Sequence, residues 1–232
     1  MIVVFAQEHD EYAKNLVQRW RDQGARLMVP ADLSRCGWCC SSPNPDDSQC
    51  VIEGTRCRSS EIRGVLVRLA AVLATDLSHI VVSDRDYVAS EMTAFLVYWL
   101  NALSKPVLNC PTPRSLLGPG WFPEHWIYYA AQAGMRVRPV SRAIQPASFD
   151  PPTWPEHDGS FSELTVVARA HCFGDVAPDL AEKARALAAA AHVDLVKFRF
   201  DGPDSDACFL AADLCPPLDD CRIEQAVLDY FA

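Results

Sequence analysis

The sequence predicts an α/β protein with a mainly parallel front sheet and a smaller α+β part behind it. In residues 1–142, short apolar runs alternate with amphipathic helical stretches, which is typical of strands buried on both faces. The Pro-rich residues 143–161 interrupt this periodicity and indicate a connecting segment. Residues 162–232 then show a strand, helix, strand, strand, helix order. We therefore expect an N-terminal domain over 1–142, a connection over 143–161 and a C-terminal part over 162–232.

The elements of the front part follow from local patterns. The apolar residues 2–5 predict a first buried strand, and the apolar stripe of residues 8–24 predicts a helix that Gly24 ends. Turn-forming residues at 42–48 predict the turn of a polar hairpin over 37–58. The remaining predicted elements are strands at 26–29, 64–68, 105–109 and 135–140, a helix at 84–103 capped by Ser83, and a helix at 123–134.

The rear part contains fewer elements. An Ala-rich stretch predicts a helix, and runs of β-branched and aromatic residues predict strands. The predicted order is a strand at 163–172, a helix at 178–191, strands at 195–200 and 208–212, and a helix at 223–231.

Composition and charge exclude several classes of protein. The chain has 232 residues, of which 50% are hydrophobic, so it is not disordered, and no apolar run is long enough for a membrane span. Its start has no basic region and predicts no signal peptide, so the ten cysteines indicate a reducing cytoplasm. The net charge is −9, and residues 143–232 carry 16 acidic against 6 basic residues. Such a field repels phosphate backbones, so we expect neither a nucleic-acid nor a membrane partner.

Four cysteines could form a thiolate metal site: Cys36, Cys39, Cys50 and Cys57. The first two form a CxxC pair, which is a frequent half of a zinc site. The second pair is separated by six residues instead of two to four. We therefore expect small buried hydrophobic cysteines and no metal, and we keep the thiolate site as an alternative.

Three pieces of the chain, taken in order, resemble the ATP-grasp superfamily of carboxylate–amine ligases, in the branch of the ribosomal-protein glutamate ligases. The first is the front domain with a strand that ends at Arg68, which resembles the preliminary domain. The second is the helix start at 83–91 with the strand that ends in Asn109-Cys-Pro111. The third, 178–217 with the terminal helix after it, resembles the last lobe. The resemblance implies an ATP-dependent ligase that uses Mg²⁺.

The sequence departs from that pattern at the positions that bind nucleotide. The resemblance implies a nucleotide-binding lobe between the front and last parts, but only residues 141–162 occupy this space. No lysine lies between Lys105 and Lys183. Where the family has Glu-x-Asn for Mg²⁺, this chain has Ala211 and Asp213. The sequence therefore predicts a degenerate, non-catalytic accessory protein that lacks the nucleotide lobe, needs no cofactor and binds a peptide or protein. The alternative is an ATP-dependent ligase with a rebuilt or shared nucleotide site.

Four residues are candidates for ligand binding: Arg68, Glu91, Asn109 and Asp213. Arg68 ends a buried strand, where α/β sheets bind ligands, so it either binds a carboxylate or pairs with an acid of the helix start at 84–91. Glu91 either faces a substrate or complements the helix dipole. Asn109 either faces the crevice or satisfies turn backbone.

Three aromatic-rich positions are candidates for contact with a partner: His125, Trp126 and Tyr129. They lie in the short helix predicted over 123–134. They form either a packing face or an exposed aromatic surface.

Overall fold

The computed structural model describes residues 1–41, 44–138 and 161–232. None of the helices in these ranges has both the length and the apolar character that crossing a membrane requires. In chain order the helices and strands are β1 (Ile2–Phe5), α1 (Glu11–Arg19), β2 (Ala25–Met28), β3 (Gln49–Ile52), β4 (Thr55–Arg58), β5 (Gly64–Val67), α2 (Arg85–Ala102), β6 (Val107–Leu108), α3 (Pro123–Gln132), β7 (Arg136–Val137), β8 (Ser162–Val167), β9 (His171–Phe173), α4 (Pro178–Ala190), β10 (Leu195–Phe200), β11 (Cys208–Asp213) and α5 (Cys221–Tyr230).

The first sheet is parallel throughout, with the strand order β2-β1-β5-β6. Every residue of β1 and β5 is buried. Val3 and Val65 face a core shared with α2 and the β3–β4 hairpin, whereas Ile2 and Val4 face a core shared with α1 and α5. The apolar runs in the sequence therefore correspond to strands that are covered on both faces, and the mainly parallel front sheet is confirmed.

The second sheet has the order β7-β11-β10-β8-β9, and its pairs are antiparallel except β7 with β11. α3 and α4 cover one face with an apolar core that includes Trp126, Leu180, Phe198 and Phe209. α3 and β7 precede the Pro-rich segment in the chain, yet both contribute to this sheet. Residues 143–160 of that segment lie outside the described residues.

A third core joins the two sheets. It combines Ile2 and Leu108 of the first sheet with Val167 and Leu195 of the second, and α5 adds Val227. Within this core, Phe231 packs so closely on β5 that a Cβ on Gly64 would lie 2.1 Å from the phenylalanine ring. The two sheets are therefore joined by a shared hydrophobic core.

Three local predictions differ from the structure. The segment predicted as one hairpin over 37–58 reverses twice: Cys39 forms an antiparallel bridge with Gln49 on either side of the predicted turn, and Glu53–Gly54, both at positive φ, join β3 to β4. The strand predicted over 163–172 is the hairpin β8–β9, whose turn holds Ala168 and Arg169 at positive φ. Ser83 does not cap α2: its hydroxyl donates to the neighbouring Asp84 carboxylate.

Candidate functional site

Arg68 lies at the carboxyl edge of the first sheet and forms an ion pair with Asp10. Its Nε donates to Asp10 Oδ2 at 3.0 Å, and its guanidinium carbon lies 4.5 Å from the centre of the Tyr12 ring. The arginine side chain is 11% exposed. Asp10 also caps α1, because its Oδ1 accepts from the backbone N–H of Ala13. Arg68 therefore pairs with the loop after β1 and not with an acid at the start of α2.

Asp213 and Cys215 bring the end of β11 next to Arg68. Asp213 Oδ1 accepts from the Cys215 N–H at 2.9 Å, and the Cys215 thiol donates to the Arg68 carbonyl at 3.8 Å. Burial raises the pKa of Cys215 to about 11, so this thiol is protonated at neutral pH. Two of the predicted candidates, Arg68 and Asp213, therefore lie near each other, and the protonated Cys215 hydrogen-bonds to both residues.

The second sheet has an open face that carries charged side chains. On β10, Val196, Phe198 and Phe200 point into the core under α3 and α4. Lys197 and Arg199 alternate with them and point to the opposite face. We call Glu163, Lys197, Arg199 and Asp213, together with the strand surface between them, the polar face.

Glu163 binds both cations of the polar face. Its carboxylate accepts from Lys197 Nζ at 3.1 Å and from Arg199 Nη2 at 3.0 Å. The lysine side chain is 16% exposed, whereas the arginine and the glutamate are nearly half exposed. Burial raises the pKa of Glu163, but the hydrogen bonds from Arg199 and Lys197 lower it by more, so this pKa lies below the usual value of a glutamate.

The strand register places these cations against the positions that the resemblance assigns to the metal. Lys197 lies directly opposite Asp213, and Arg199 lies directly opposite Ala211. Magnesium requires several oxygen ligands, but these two positions supply only the carboxylate of Asp213, and the nearby carboxylate of Glu163 is bound to Lys197 and Arg199. The residues present therefore do not fit Mg²⁺ bound to nucleotide phosphates.

Asn109 and Glu91 occupy contrasting positions. Asn109 is 1% exposed, and its amide bridges the two sheets: Nδ2 donates to the Leu195 carbonyl, and Oδ1 accepts from the N–H groups of Asp194 and Leu195, each at 2.8 Å. It satisfies the backbone of β10 and not that of its own turn. Glu91 is exposed on α2, whereas the ion-pair partner of Arg68 is Asp10.

The aromatic candidates divide between core and surface. Trp126 is buried and contacts Phe198, so it belongs to the packing face of α3. Tyr129 stacks on Trp121 with ring centres 4.4 Å apart. His125 is exposed, and its Nδ1 accepts from the N–H of Phe122 at the start of the helix.

The structure does not bring together the four cysteines of the alternative metal site. Cys36 and Cys39 are exposed in a loop, whereas Cys50 and Cys57 lie opposite each other in the buried β3–β4 hairpin. Burial raises the pKa of Cys50 to about 12, which disfavours the thiolate that a metal needs. Among residues 1–41, 44–138 and 161–232, no group of three or more His, Cys, Asp or Glu side chains could hold a metal ion.

Sequence reasoning missed Asp10, Glu163, Lys197 and Arg199. Glu163 and Arg199 lie on strands whose positions were predicted. Their alternation with apolar residues along these strands could have indicated that they lie on an open face. The pairing of Asp10 with Arg68 joins residues 58 positions apart in the chain, and no local pattern indicates it.

No protein-family model and no curated protein sequence matches the chain. Solved structures do match. The macrocyclase MdnB from Microcystis aeruginosa MRC is 13% identical with a TM-score of 0.64, and the alignment covers 99% of this chain and 98% of that chain. The macrocyclase MdnC from the same organism, bound with precursor peptide MdnA, is 11% identical with a TM-score of 0.65 and covers 98% of each chain.

A third similar structure is an ATP-grasp ligase. It is the RiPP-associated ATP-grasp ligase of Chryseobacterium gregarium, in complex with ADP and with a leader and core peptide. It is 12% identical, with a TM-score of 0.66, and the alignment covers 99% of this chain and 96% of that chain. The chain therefore has an ATP-grasp-like α/β fold, as the order of its sequence motifs predicted.

Proposed function

We propose that this protein is a non-catalytic, ATP-grasp-like accessory component that binds a peptide partner in the cytoplasm. The observation that carries the proposal is the polar face, where Lys197 and Arg199 lie opposite Asp213 and Ala211 and are bound by Glu163. At the two positions where the resemblance expects carboxylate and amide oxygens for Mg²⁺, the chain has an alanine and one aspartate, and a cation lies opposite each of them. We infer that the fold has been retained for binding and not for ligation.

The peptide part of the proposal is supported by the similar structures. MdnC was solved with its precursor peptide, and the ligase of C. gregarium was solved with a leader and core peptide. A chain that keeps the fold and loses the metal ligands can still present a peptide-binding surface. The expected partner is therefore a peptide, or a protein with an extended segment.

A second candidate function is ligation with a rebuilt nucleotide site. The observation in its favour is that the polar face already has two cations, Lys197 and Arg199, which could contact phosphate oxygens. In this alternative Glu163 would have to release them, and the missing metal ligands would have to come from elsewhere.

Thermal unfolding in millimolar Mg·ATP separates the two candidates. A ligand at a hundred times its Kd stabilises a protein by about 2.7 kcal/mol, which raises the melting temperature measurably. We expect no rise. A rise that disappears in Lys197→Met but persists in the matched variant Lys183→Met, whose lysine pairs with Asp179 on α4, would support the rebuilt site instead.

A further inference from the structure

Exposed apolar side chains are concentrated around α2. In the described ranges eight large hydrophobic side chains are exposed, and five of them lie on α2 or in the segment that leads to it: Leu73, Val81, Val82, Tyr87 and Tyr98. Single exposed apolar residues are ordinary on a protein surface, whereas a cluster of them marks an interaction surface. We call these five residues, together with the exposed side of α2, the α2 face.

The exposed side of α2 has very little charge. Its exposed residues from the second turn onwards recur at helical spacing and form one stripe: Tyr87, Ser90, Glu91, Ala94, Tyr98 and Asn101. Glu91 is the last charged residue before Lys105, so residues 92–104 contain no charged side chain. A helix that faces water normally has charged and polar residues along its exposed side. The stripe is therefore better suited to contact with protein than with water.

A groove of about 430 Å³ runs beside the stripe. Its lining residues come from α2 and from two neighbouring loops: Ala71, Val72, Ser90, Thr93, Ala94, Val97 and Pro113. Because none of these side chains is large, a second helix can approach α2 closely. The described ranges break off after β7 and resume just before β8, both in the second sheet, whereas α2 packs on the first sheet.

The α2 face is complementary to itself about Ala94, which lies at the middle of the helix. If a second copy packs antiparallel across a two-fold axis at Ala94, residues at similar distances on opposite sides of Ala94 face each other. Tyr87 then faces Asn101 of the second copy, and Tyr98 faces Glu91. The Glu91 carboxylate has no hydrogen-bond or ion-pair partner in the described ranges, and the Tyr98 hydroxyl of the second copy can donate to it.

The charges at the two ends of α2 favour the same antiparallel arrangement. Asp86 lies in the first turn and Lys105 follows the last turn, and within the described part of the chain neither forms an ion pair. Antiparallel packing brings Lys105 of each copy towards Asp86 of the other, whereas parallel packing brings like charges together. Because residues 143–232 have a net charge of −10 and the whole chain has −9, residues 1–142 have +1. Two copies therefore meet at this face with little repulsion.

We propose that two copies of this chain associate through the α2 face, with their α2 helices antiparallel and Ala94 at the two-fold axis. The inference goes beyond the proposed function, because it concerns self-association and requires neither nucleotide nor peptide. It places Glu91, a candidate for ligand binding, at an interface between copies.

Sedimentation velocity of the full chain tests the inference, with a reductant that keeps the exposed cysteines from cross-linking copies. We expect a reversible monomer–dimer equilibrium between about 1 and 200 μM. Ala94→Lys places two cations against each other at the axis, and we expect it to raise the dimer Kd by about tenfold or more. Ala186→Lys, at an exposed alanine of α4, is the matched control and should leave the dimer Kd unchanged.

Further variants test the stripe and the orientation of the helices. Tyr98→Ser should raise the dimer Kd by about tenfold, whereas Tyr128→Ser, at a tyrosine of α3 with nearly the same exposure, should leave it unchanged. Asp86→Lys and Lys105→Glu should each raise the dimer Kd by about threefold, and the double variant should restore it, because opposite charges meet again. Thermal unfolding shows whether each variant is folded.

Several outcomes would overturn the inference. They are a wild type that stays monomeric over the whole range, a dimer Kd that both Ala94→Lys and Tyr98→Ser leave unchanged, or an equal effect of Tyr98→Ser and Tyr128→Ser. A double charge variant that associates no better than the single variants would exclude the antiparallel arrangement, which also overturns it. None of these outcomes changes the expected result with Mg·ATP, so the failure of this inference and the failure of the proposed function are distinguishable.

Discussion

One face of the second sheet has two halves with opposite character. Val167 and Leu195 lie in the core shared with the first sheet and α5, whereas Glu163, Lys197 and Arg199 lie on the open polar face. Both halves are built by β8 and β10, so secondary structure does not distinguish them. The sealed half therefore holds the two sheets together. The open half carries Ala211 and Asp213, the positions that the resemblance assigns to the metal, with Arg199 and Lys197 opposite them.

Substitutions in the sealed half should lower the free energy of unfolding more than substitutions on the open half. Asn109→Ala removes three hydrogen bonds and leaves two N–H groups and a carbonyl of residues 194 and 195 buried without that partner. We expect a loss of about 3 kcal/mol or more in the free energy of unfolding, measured by urea denaturation. The matched variant Asn101→Ala, whose amide bonds to backbone carbonyls near the surface, should lose under about 1 kcal/mol. Equal losses would contradict the distinction.

Arg68 should show an intermediate effect, since its ion pair is only partly buried. We expect Arg68→Ala to cost about 2 kcal/mol of unfolding free energy and to couple with Asp10→Asn by about 1 kcal/mol. Asparagine removes the charge but keeps the oxygen that caps α1. A cycle of Arg68→Ala with Glu91→Gln should be additive. Coupling to Glu91 instead of Asp10 would contradict the geometry at this edge.

The polar face should show the smallest effect on stability. Its ion pairs are largely exposed, so Glu163→Gln should change the unfolding free energy by less than about 1 kcal/mol at pH 7. Because the pKa of Glu163 is lowered in the folded state, its contribution is present above the usual glutamate pKa and is lost as the pH falls through the folded value.

Urea denaturation at several pH values checks the sign of this effect. The stability difference between the wild type and Glu163→Gln should shrink as the pH falls from 7 to about 3. Glu182→Gln, which alters an exposed glutamate of α4, is the matched control for the loss of a surface carboxylate. A difference that stays constant with pH would mean that Glu163 is not held by the two cations.

The sequence predicted the elements best where apolar runs are buried on both faces. The strand predicted at 195–200 has the same bounds in the structure, and β1 and β5 differ from their predictions by at most one residue. Turns were predicted poorly where residues other than glycine and asparagine adopt positive φ. Ala168 and Arg169 adopt positive φ without glycine or asparagine, and the hydrogen bond of Arg169 to Asp194 helps to hold that turn.

The site was predicted less completely than the fold. The resemblance assigned the metal positions to Asp213 and Ala211, and both lie on β11. The cations opposite them depend on the register of β10 against β11, which includes an irregularity near Arg199 and Phe200. Register is a tertiary property that a single sequence does not specify, so Lys197 and Arg199 were not recognised.

Equilibrium dialysis of the protein against radiolabelled ATP with excess Mg²⁺ shows whether the polar face has lost nucleotide binding, because it counts bound nucleotide per chain without relying on activity or stability. We expect no saturable binding up to millimolar ATP, since Asp213 and Ala211 provide no donor set for Mg²⁺ and Glu163 binds the nearby cations. Saturable binding of one ATP per chain, dependent on Mg²⁺, would show that the nucleotide site is present and would favour a ligase.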